Sequence, residues 1–414
     1  MGIIKKIAVL CLAACVLSLS VTVYADDRSD MIDPNIVTEY NSPDLTDPPM
    51  FDATETLAGV ASLEISAKSC ILMEVNTGTI LYDNNSHDRL PPASITKVMS
   101  LLLVVEAMES GLLTVDTMLT ASEHACSMGG SQIWLEPGEQ MSVDDLLKAA
   151  VIGSANDATV VLGEAVAGSE EGFVAMMNER AKQLGMNDTN FINATGLDAD
   201  GHLTSAHDIA IMSKELIKHE IIKNYSTVWM DSLRGGESEL VNTNKLVRFY
   251  EGCTGLKTGT TSGAGSCLSA TASRNGLDLV AVVMGAPTSN DRFNGARKLL
   301  DYGFANWTYV TVTADRDKFS DISVKGGVER TVTPVCNERQ SFLVDKKKSG
   351  LITQTVELET ELKAPVLLGQ QIGVARVYLD GEEIGAIKIT AEREIAKMTF
   401  MKALLKMLKG CFTV

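Results

Sequence analysis

Aromatic residues are scarce in this sequence, at 5 % of 414 positions, although 45 % of the chain is hydrophobic. A core built from it is therefore mainly aliphatic and methionine-filled. Bases are also short, with 36 Lys and Arg against 53 Asp and Glu and a formal charge of −17. That balance argues against a nucleic-acid partner, because phosphate binding needs a basic surface. The sequence has no C-x-x-C pair. Of its eight cysteines, Cys11 and Cys15 lie in the N-terminal apolar run, and Cys70, Cys126, Cys253, Cys267, Cys336 and Cys411 are scattered. This spacing fits buried free thiols better than a disulfide framework or a zinc site. Two hydrolase signatures are missing, the H-E-x-x-H of zinc peptidases and the G-x-S-x-G elbow of α/β-hydrolases. His202 and His207, with aspartates nearby, then read as structural loop residues, and no metal or other cofactor is called for. There is no internal repeat, and the length asks for at least two folded units.

What is present begins with an export signal. Lys5 and Lys6 precede an apolar run from Ile7 to Val23, and Val23-Tyr24-Ala25 stands before Asp26 and Asp27, the pattern of a secretory signal (1–25) cleaved after Ala25. A lipoprotein signal at Leu12-Ala13-Ala14-Cys15 and an uncleaved anchor are competing readings; all three place the rest of the chain outside the cytoplasm. Residues 26–57 carry nine acids against the single base Arg28, with Pro34, Pro43, Pro48 and Pro49, and read as a disordered acidic linker. From 58 to 307 the pattern predicts an α/β (α+β) domain: a hairpin over Ile71 to Leu81, a buried helix over Ile95 to Met108 too short to cross a membrane, and helices at Val143 to Ile152, Ala155 to Ala167 and Gly172 to Leu184. Strands follow through Gly255 to Ala270 and Leu277 to Gly285. Strands at both ends predict one shared antiparallel sheet. Residues 308–390 alternate β-branched runs with turns at Gly326-Gly327, Ser349-Gly350 and Asp380-Gly381, a separate all-β module. The tail, 391–414, reads as an amphipathic helix from Ile395 to Leu408, with Met398, Phe400, Met401, Leu404, Leu405 and Leu408 on one side and Lys402, Lys406 and Lys409 on the other.

Chemistry enters at Ser94-Ile95-Thr96-Lys97, which opens the buried helix. A serine hydroxyl is a weak nucleophile until a base takes its proton, and a lysine one turn away can be that base if burial or a nearby cation lowers its pKa. Alone, S-x-x-K fixes only two positions and reads equally as a helix cap with a solvated lysine. Two further elements accompany it in order: Ser154-Ala155-Asn156 between two predicted helices, and Lys257-Thr258-Gly259 on a predicted strand. Ser273-Arg274-Asn275 and Lys348-Ser349-Gly350 are decoys, the first out of order and the second in a charged turn.

S-x-x-K, S-D-N and K-T-G in this order, with Ala155 in place of Asp, resemble the low-molecular-mass penicillin-binding proteins, specifically the D-alanyl-D-alanine carboxypeptidases. The phrases Gly130–Glu139, Asn193–Leu197 and Gly255–Gly259 also look like that family, and the likeness extends over nearly everything after residue 57. The resemblance implies a β-lactamase/transpeptidase-like fold with a small all-β C-terminal domain and a two-step acyl transfer on peptidoglycan stem peptides ending in D-Ala-D-Ala, with β-lactams as covalent inhibitors. It implies Ser94 as the acylated nucleophile, Lys97 as its proton acceptor and Ser154 as a relay to the leaving D-Ala. Asn156 would hold Lys97 and the substrate amide, Lys257 and Thr258 would face the terminal carboxylate, and the N–H groups of Ser94 and Thr260 would form the oxyanion hole. Arg292 falls where related enzymes place a carboxylate-binding arginine, with an ordinary surface arginine as the competing reading. Thr260 replaces the His that some members carry. The tail helix is expected to lie on an anionic membrane surface. A class A-like β-lactamase would also need a deacylating glutamate, and none lies between Glu179 and Glu215, where the acids are Asp188, Asp198, Asp200 and Asp208. A catalytically inactive peptidoglycan-binding protein is the non-enzyme alternative.

Overall fold

A turn at Asn76–Gly78 folds the first described strands onto each other, β1 (Ser69–Glu74) against β2 (Ile80–Asn84). Glu74 fixes that turn by accepting from the backbone N–H groups of Asn76 and Thr77. The computed structural model describes residues 63–412; the expected signal and acidic linker lie outside the described residues. A single 3-10 turn, Ala93–Thr96, leads into α1 (Lys97–Glu109). Then come α2 (Val143–Val151), α3 (Asn156–Ala167), α4 (Glu170–Gln183) and α5 (Ala206–Ile217). The chain returns to the sheet as β3 (Cys253–Thr261), β4 (Gly265–Arg274) and β5 (Leu277–Ala286), and α6 (Ser289–Asn306) closes the unit. Strand order is β2-β1-β5-β4-β3, antiparallel throughout. Ser69 pairs with Met284 and Glu74 with Leu279, so the two ends of the domain share one sheet, as the sequence predicts.

Period-2 alternation explains why the sheet is covered on both faces. Ile71, Met73, Val280, Val282 and Met284 join a core with α1 to α5, whereas Cys70, Leu72, Leu279, Ala281 and Val283 join a second core with Leu299 and Leu300 of α6. Helix α1 is buried almost all round, which accounts for a sequence that is apolar without an amphipathic stripe.

Past α6 the chain is all-β. Strands β6 (Trp307–Val312), β7 (Ile322–Lys325), β8 (Gln340–Asp345), β9 (Ile352–Leu358), β10 (Glu361–Lys363), β11 (Gln371–Leu379) and β12 (Glu382–Ala391), with the two-residue strands Thr331–Val332 and Pro334–Val335, build a β6/β8 pair, a three-stranded sheet around β7 that takes in Thr331–Val332 and a four-stranded sheet around β11 and β12 that takes in Pro334–Val335. Two small cores fill it, one under Val344, Ala375, Val377, Ile387 and Ile389, the other under Val332, Val366, Ile372 and Ile395. The tail corrects one expectation. Helix α7 runs over Phe400–Phe412 instead of starting at Ile395. Ile395 is buried and exchanges backbone hydrogen bonds with Val366, and Met398 N–H donates to Gly326. Its apolar periodicity belongs to the β module's core, not to the helix. The five cysteines with described side chains, Cys70, Cys126, Cys253, Cys267 and Cys336, are free.

Candidate active site

The approach to Ser94 is set by backbone geometry before any side chain acts. Pro91 and Pro92 keep the chain out of the helix, Ala93 is held at φ +49°, and residues 93–96 then make one 3-10 turn. Three residues per turn bring i and i+3 side by side, and Ser94 Oγ lies 3.0 Å from Lys97 Nζ. Lys97 is fully buried.

Three segments converge on that lysine. Its Nζ donates to Asn156 Oδ1 at 2.5 Å, at the first residue of α3, and to the Thr195 carbonyl at 2.9 Å. The Asn156 amide cannot be turned over, because its Nδ2 donates at 2.6 Å to the Gly129 carbonyl, which can only accept and would repel the amide oxygen. Burial lowers the Lys97 pKa well below the usual lysine range; the charge of Lys257 lowers it further and Asp157 opposes both. Nζ has three oxygen neighbours, Asn156 Oδ1, the Thr195 carbonyl and Ser94 Oγ. When the amine is neutral its two N–H bonds serve the two oxygens that can only accept, and its lone pair faces the Ser94 hydroxyl. Ser154, two residues earlier, is buried at φ +61° in the loop between α2 and α3.

Strand β3 forms the opposite wall. Lys257 is buried and donates to the Thr258 carbonyl at 3.1 Å; burial and the Arg292 charge push its pKa down to about 7. Thr258 Oγ1 donates to Thr243 Oγ1 at 2.7 Å. Arg292, in the first turn of α6, is no surface arginine. It is buried, and one guanidinium nitrogen donates both to the Gly259 carbonyl at 3.0 Å and to Thr260 Oγ1 at 2.6 Å. Thr260 itself is exposed.

Two glycines let the walls meet. A Cβ on Gly259 would sit 2.9 Å from Ser94 N, and one on Gly196, at φ +90°, would sit 1.8 Å from the Ala93 carbonyl oxygen. We expect Gly196→Ala to cost on the order of 3 kcal/mol, from strain at positive φ added to a backbone clash. Thermal unfolding should show a lowered midpoint and penicillin labelling should slow; an unchanged midpoint would contradict this close approach.

Asp157 was not anticipated as part of the site. It is buried behind Asn156, and its carboxylate accepts from the N–H groups of Ile133, Leu135 and Ala158, fixing the Gly130–Glu139 segment to the start of α3. Thr195, Gly196 and Thr243 were also missed as contacts, although Asn193–Leu197 stood out as a phrase. His202 carries no open coordination position: its Nδ1 accepts from Ile192 N–H and its Nε2 faces Thr96 Oγ1 at 2.8 Å, with burial lowering its pKa to about 4.

The sequence profile of D-alanyl-D-alanine carboxypeptidases matches residues 55–288, and that of the penicillin-binding protein 5 C-terminal domain matches residues 307–397. The D-alanyl-D-alanine carboxypeptidase DacF of Bacillus subtilis is 39 % identical over 349 residues, 83 % of this chain and 90 % of that protein. Among solved structures, penicillin-binding protein 5 from Haemophilus influenzae is 31 % identical, with a TM-score of 0.68 over 82 % of this chain and 100 % of its own. The ampicillin-bound form of penicillin-binding protein D2 from Listeria monocytogenes is 33 % identical, with a TM-score of 0.52 over 59 % of this chain and 100 % of its own. Neither the β-lactamase nor the inactive-binder alternative is favoured by these matches. With a transpeptidase-like fold around a half-buried Ser94 and a fully buried Lys97, the chain belongs to the D-alanyl-D-alanine carboxypeptidase family of serine peptidases, S11.

Proposed function

We propose that this chain removes the terminal D-Ala from peptidoglycan pentapeptides through an acyl-enzyme on Ser94. The observation that carries the assignment is the set of three oxygens around the buried Lys97 Nζ: Asn156 Oδ1 and the Thr195 carbonyl can only accept, so Ser94 Oγ is the one neighbour able to give a proton to the amine once it is neutral. Lys97 accepts the hydroxyl proton as Oγ attacks the penultimate D-Ala carbonyl. The oxyanion meets the N–H groups of Ser94 and Thr260, each donor worth roughly 3 to 4 kcal/mol. As the C–N bond breaks, Ser154 passes a proton to the departing amine. Water, activated by Lys97, then hydrolyses the ester and frees Ser94. Lys257, Thr258 and Arg292 line the wall that receives the substrate carboxylate, and Asn156 holds the amide on the other side. The ampicillin-bound Listeria relative supports a penicillin as the probe. Incubation with a labelled penicillin and peptide mass spectrometry should place the adduct on the peptide containing Ser94; an adduct elsewhere, or none, overturns the assignment.

Export and surface attachment belong to the same proposal. The N-terminal signal reading puts the enzyme outside the cytoplasm, where its substrate is. Phe400, Met401, Leu404, Leu405, Met407 and Leu408 of α7 are exposed, Phe400 at 81 %, while Lys406 turns to the β module and donates to the Val328 carbonyl at 2.9 Å. An exposed apolar helix face, with Lys397 and Lys402 beside it, supports a helix lying in the interface of an anionic membrane. Each base near such a surface contributes about 1 kcal/mol. Because Ala391 and Ile395 are buried in the β module, the informative truncation is after Thr399. We expect the truncated enzyme to stay in solution when anionic vesicles are sedimented, with D-Ala release unchanged; equal sedimentation of the two forms would remove the anchor.

A further inference from the structure

Asp198 stands two residues beyond Gly196, on the exposed rim of the cleft. Its carboxylate reaches across to the turn that joins β3 to β4. Thr261 Oγ1 donates to Oδ1 at 2.7 Å, Gly263 N–H to Oδ2 at 3.2 Å, and Ser262 Oγ to Oδ2 at 3.5 Å. Thr261 Oγ1 in turn accepts from Ala264 N–H at 3.0 Å, so the whole turn is tied to one side chain from the opposite loop. That loop is itself fixed: Asn193 Oδ1 accepts from Thr195 and Gly196 N–H, and its Nδ2 donates to the Leu197 carbonyl. Within six residues the loop therefore touches the base through the Thr195 carbonyl, the nucleophile's turn through Gly196, and the end of β3 through Asp198.

The hairpin does not need this tie for its own register, which Thr260–Ser266 and Thr261–Gly265 pairing already sets. What the tie adds is a fixed separation between the end of β3 and the segment around Ser94. Thr260, next to Thr261, offers one of the two N–H groups that receive the oxyanion. We propose that Asp198 is a positioning residue for acylation: it holds the β3–β4 turn so that Thr260 N–H and Ser94 converge on the same carbonyl oxygen. This inference rests on the assignment of Ser94 and Thr260 made above. It has no counterpart in Asp157, which fixes the other wall from within the core.

Displacing a reacting group or donor by about 1 Å can cost on the order of a hundredfold, and that sets the size of the effect. In the full chain, the rate of Ser94 acylation by a fluorescent penicillin should be followed to saturation for Asp198→Ala, Asp198→Asn, Thr261→Val and the Asp198→Ala/Thr261→Val double variant. Asp198→Ala should lower the limiting acylation rate about 10- to 100-fold while the half-saturating concentration changes little. Asp198→Asn should recover most of the rate, since its amide oxygen can accept from Gly263 N–H while its NH2 donates to Thr261 Oγ1. Thr261→Val should lose less than Asp198→Ala, and the double variant should be no slower than Asp198→Ala alone, the mark of two groups acting through one contact. An unchanged limiting rate in Asp198→Ala, or losses that add fully in the double variant, overturns the proposal. If Asp198→Ala does not fold, Thr261→Val and Asp198→Asn carry the test, and a wild-type rate in Thr261→Val overturns it. Absence of a Ser94 adduct in the unaltered protein would instead refute the nucleophile assignment, independently of Asp198.

Discussion

Ser94→Ala gives a folded protein that takes up no penicillin and releases D-Ala at least about a thousandfold more slowly, the scale of loss when a nucleophile is deleted from a preassembled site. Folding is expected to survive because Lys97 keeps its bonds to Asn156 Oδ1 and the Thr195 carbonyl and loses only its contact with Ser94. The loss is then chemical. Ser154→Ala serves as the contrast: Ser154 is buried at the same cleft, but the hydroxyl 3.0 Å from Lys97 Nζ is that of Ser94. The Ser154 variant should therefore still carry its adduct on Ser94, formed more slowly. Circular dichroism establishes that each variant is folded, and peptide mass spectrometry after labelled-penicillin treatment reads the outcome. Labelling that persists in Ser94→Ala would end the assignment.

The buried helix, the first hairpin and the three strands around K-T-G were legible because each is strongly patterned over its whole length. Leu101 to Val105 is an unbroken apolar run within the helix, and β-strands such as β5 alternate between two cores. Helix α6 was missed for the opposite reason. Its sequence, Ser289–Asn306, is largely polar, its start is marked by Thr288, whose side chain accepts from Asp291 N–H, and the apolar stripe behind that cap is narrow, Phe293, Ala296, Leu299 and Leu300. Helix α5 has the same kind of start at Ser205 and Asp208. Strand β12 escaped notice because Glu382-Glu383 opens it and Gly385 interrupts the alternation; a Cβ there would lie 2.4 Å from the Phe342 ring. The tail shows a limit of periodicity. Ile395 fits the helical stripe in sequence, but its backbone pairs with Val366, a long-range partner that local pattern does not encode.

At the site, the sequence supplied the residues proposed to act on substrate but not those that hold them. Ser94, Lys97, Asn156 and Lys257 stand in short motifs whose chemistry dictates their identity. Thr195 contributes only a carbonyl and Gly196 only the lack of a Cβ, so neither side chain advertises its part. Arg292 gave a weak signal because one arginine in a polar stretch resembles any other; its burial against Gly259 and Thr260 becomes visible only when α6 is packed behind β3.

The two active-site lysines should separate under the same substitution. Lys97→Arg is expected to abolish acylation at every pH, a fall of about 10²- to 10⁴-fold, because a guanidinium does not give up its proton to act as a base. Lys257→Arg preserves positive charge on the wall facing the substrate carboxylate and should retain far more activity. The pH profile of kcat/KM distinguishes the two roles, since it reports the free enzyme. In the wild type Lys97 must be neutral, so activity falls on the acid side as Lys97 takes up a proton; burial and the neighbouring Lys257 charge place that limb well below the ordinary lysine range. Lys257 must be charged, and burial with Arg292 beside it brings its pKa down to about 7, so the hold on a carboxylate weakens as pH rises through that value. Charge on Lys257 favours neutral Lys97, which makes the productive pair of protonation states mutually supporting. In Lys257→Arg the charge no longer titrates in this range, and the alkaline limb near 7 should vanish while the acid limb remains. Measuring D-Ala release from a pentapeptide across the pH range checks this directly. An alkaline limb that persists unchanged in Lys257→Arg, or equal losses in the two folded variants, would show that the division of labour between these lysines is not the one assigned.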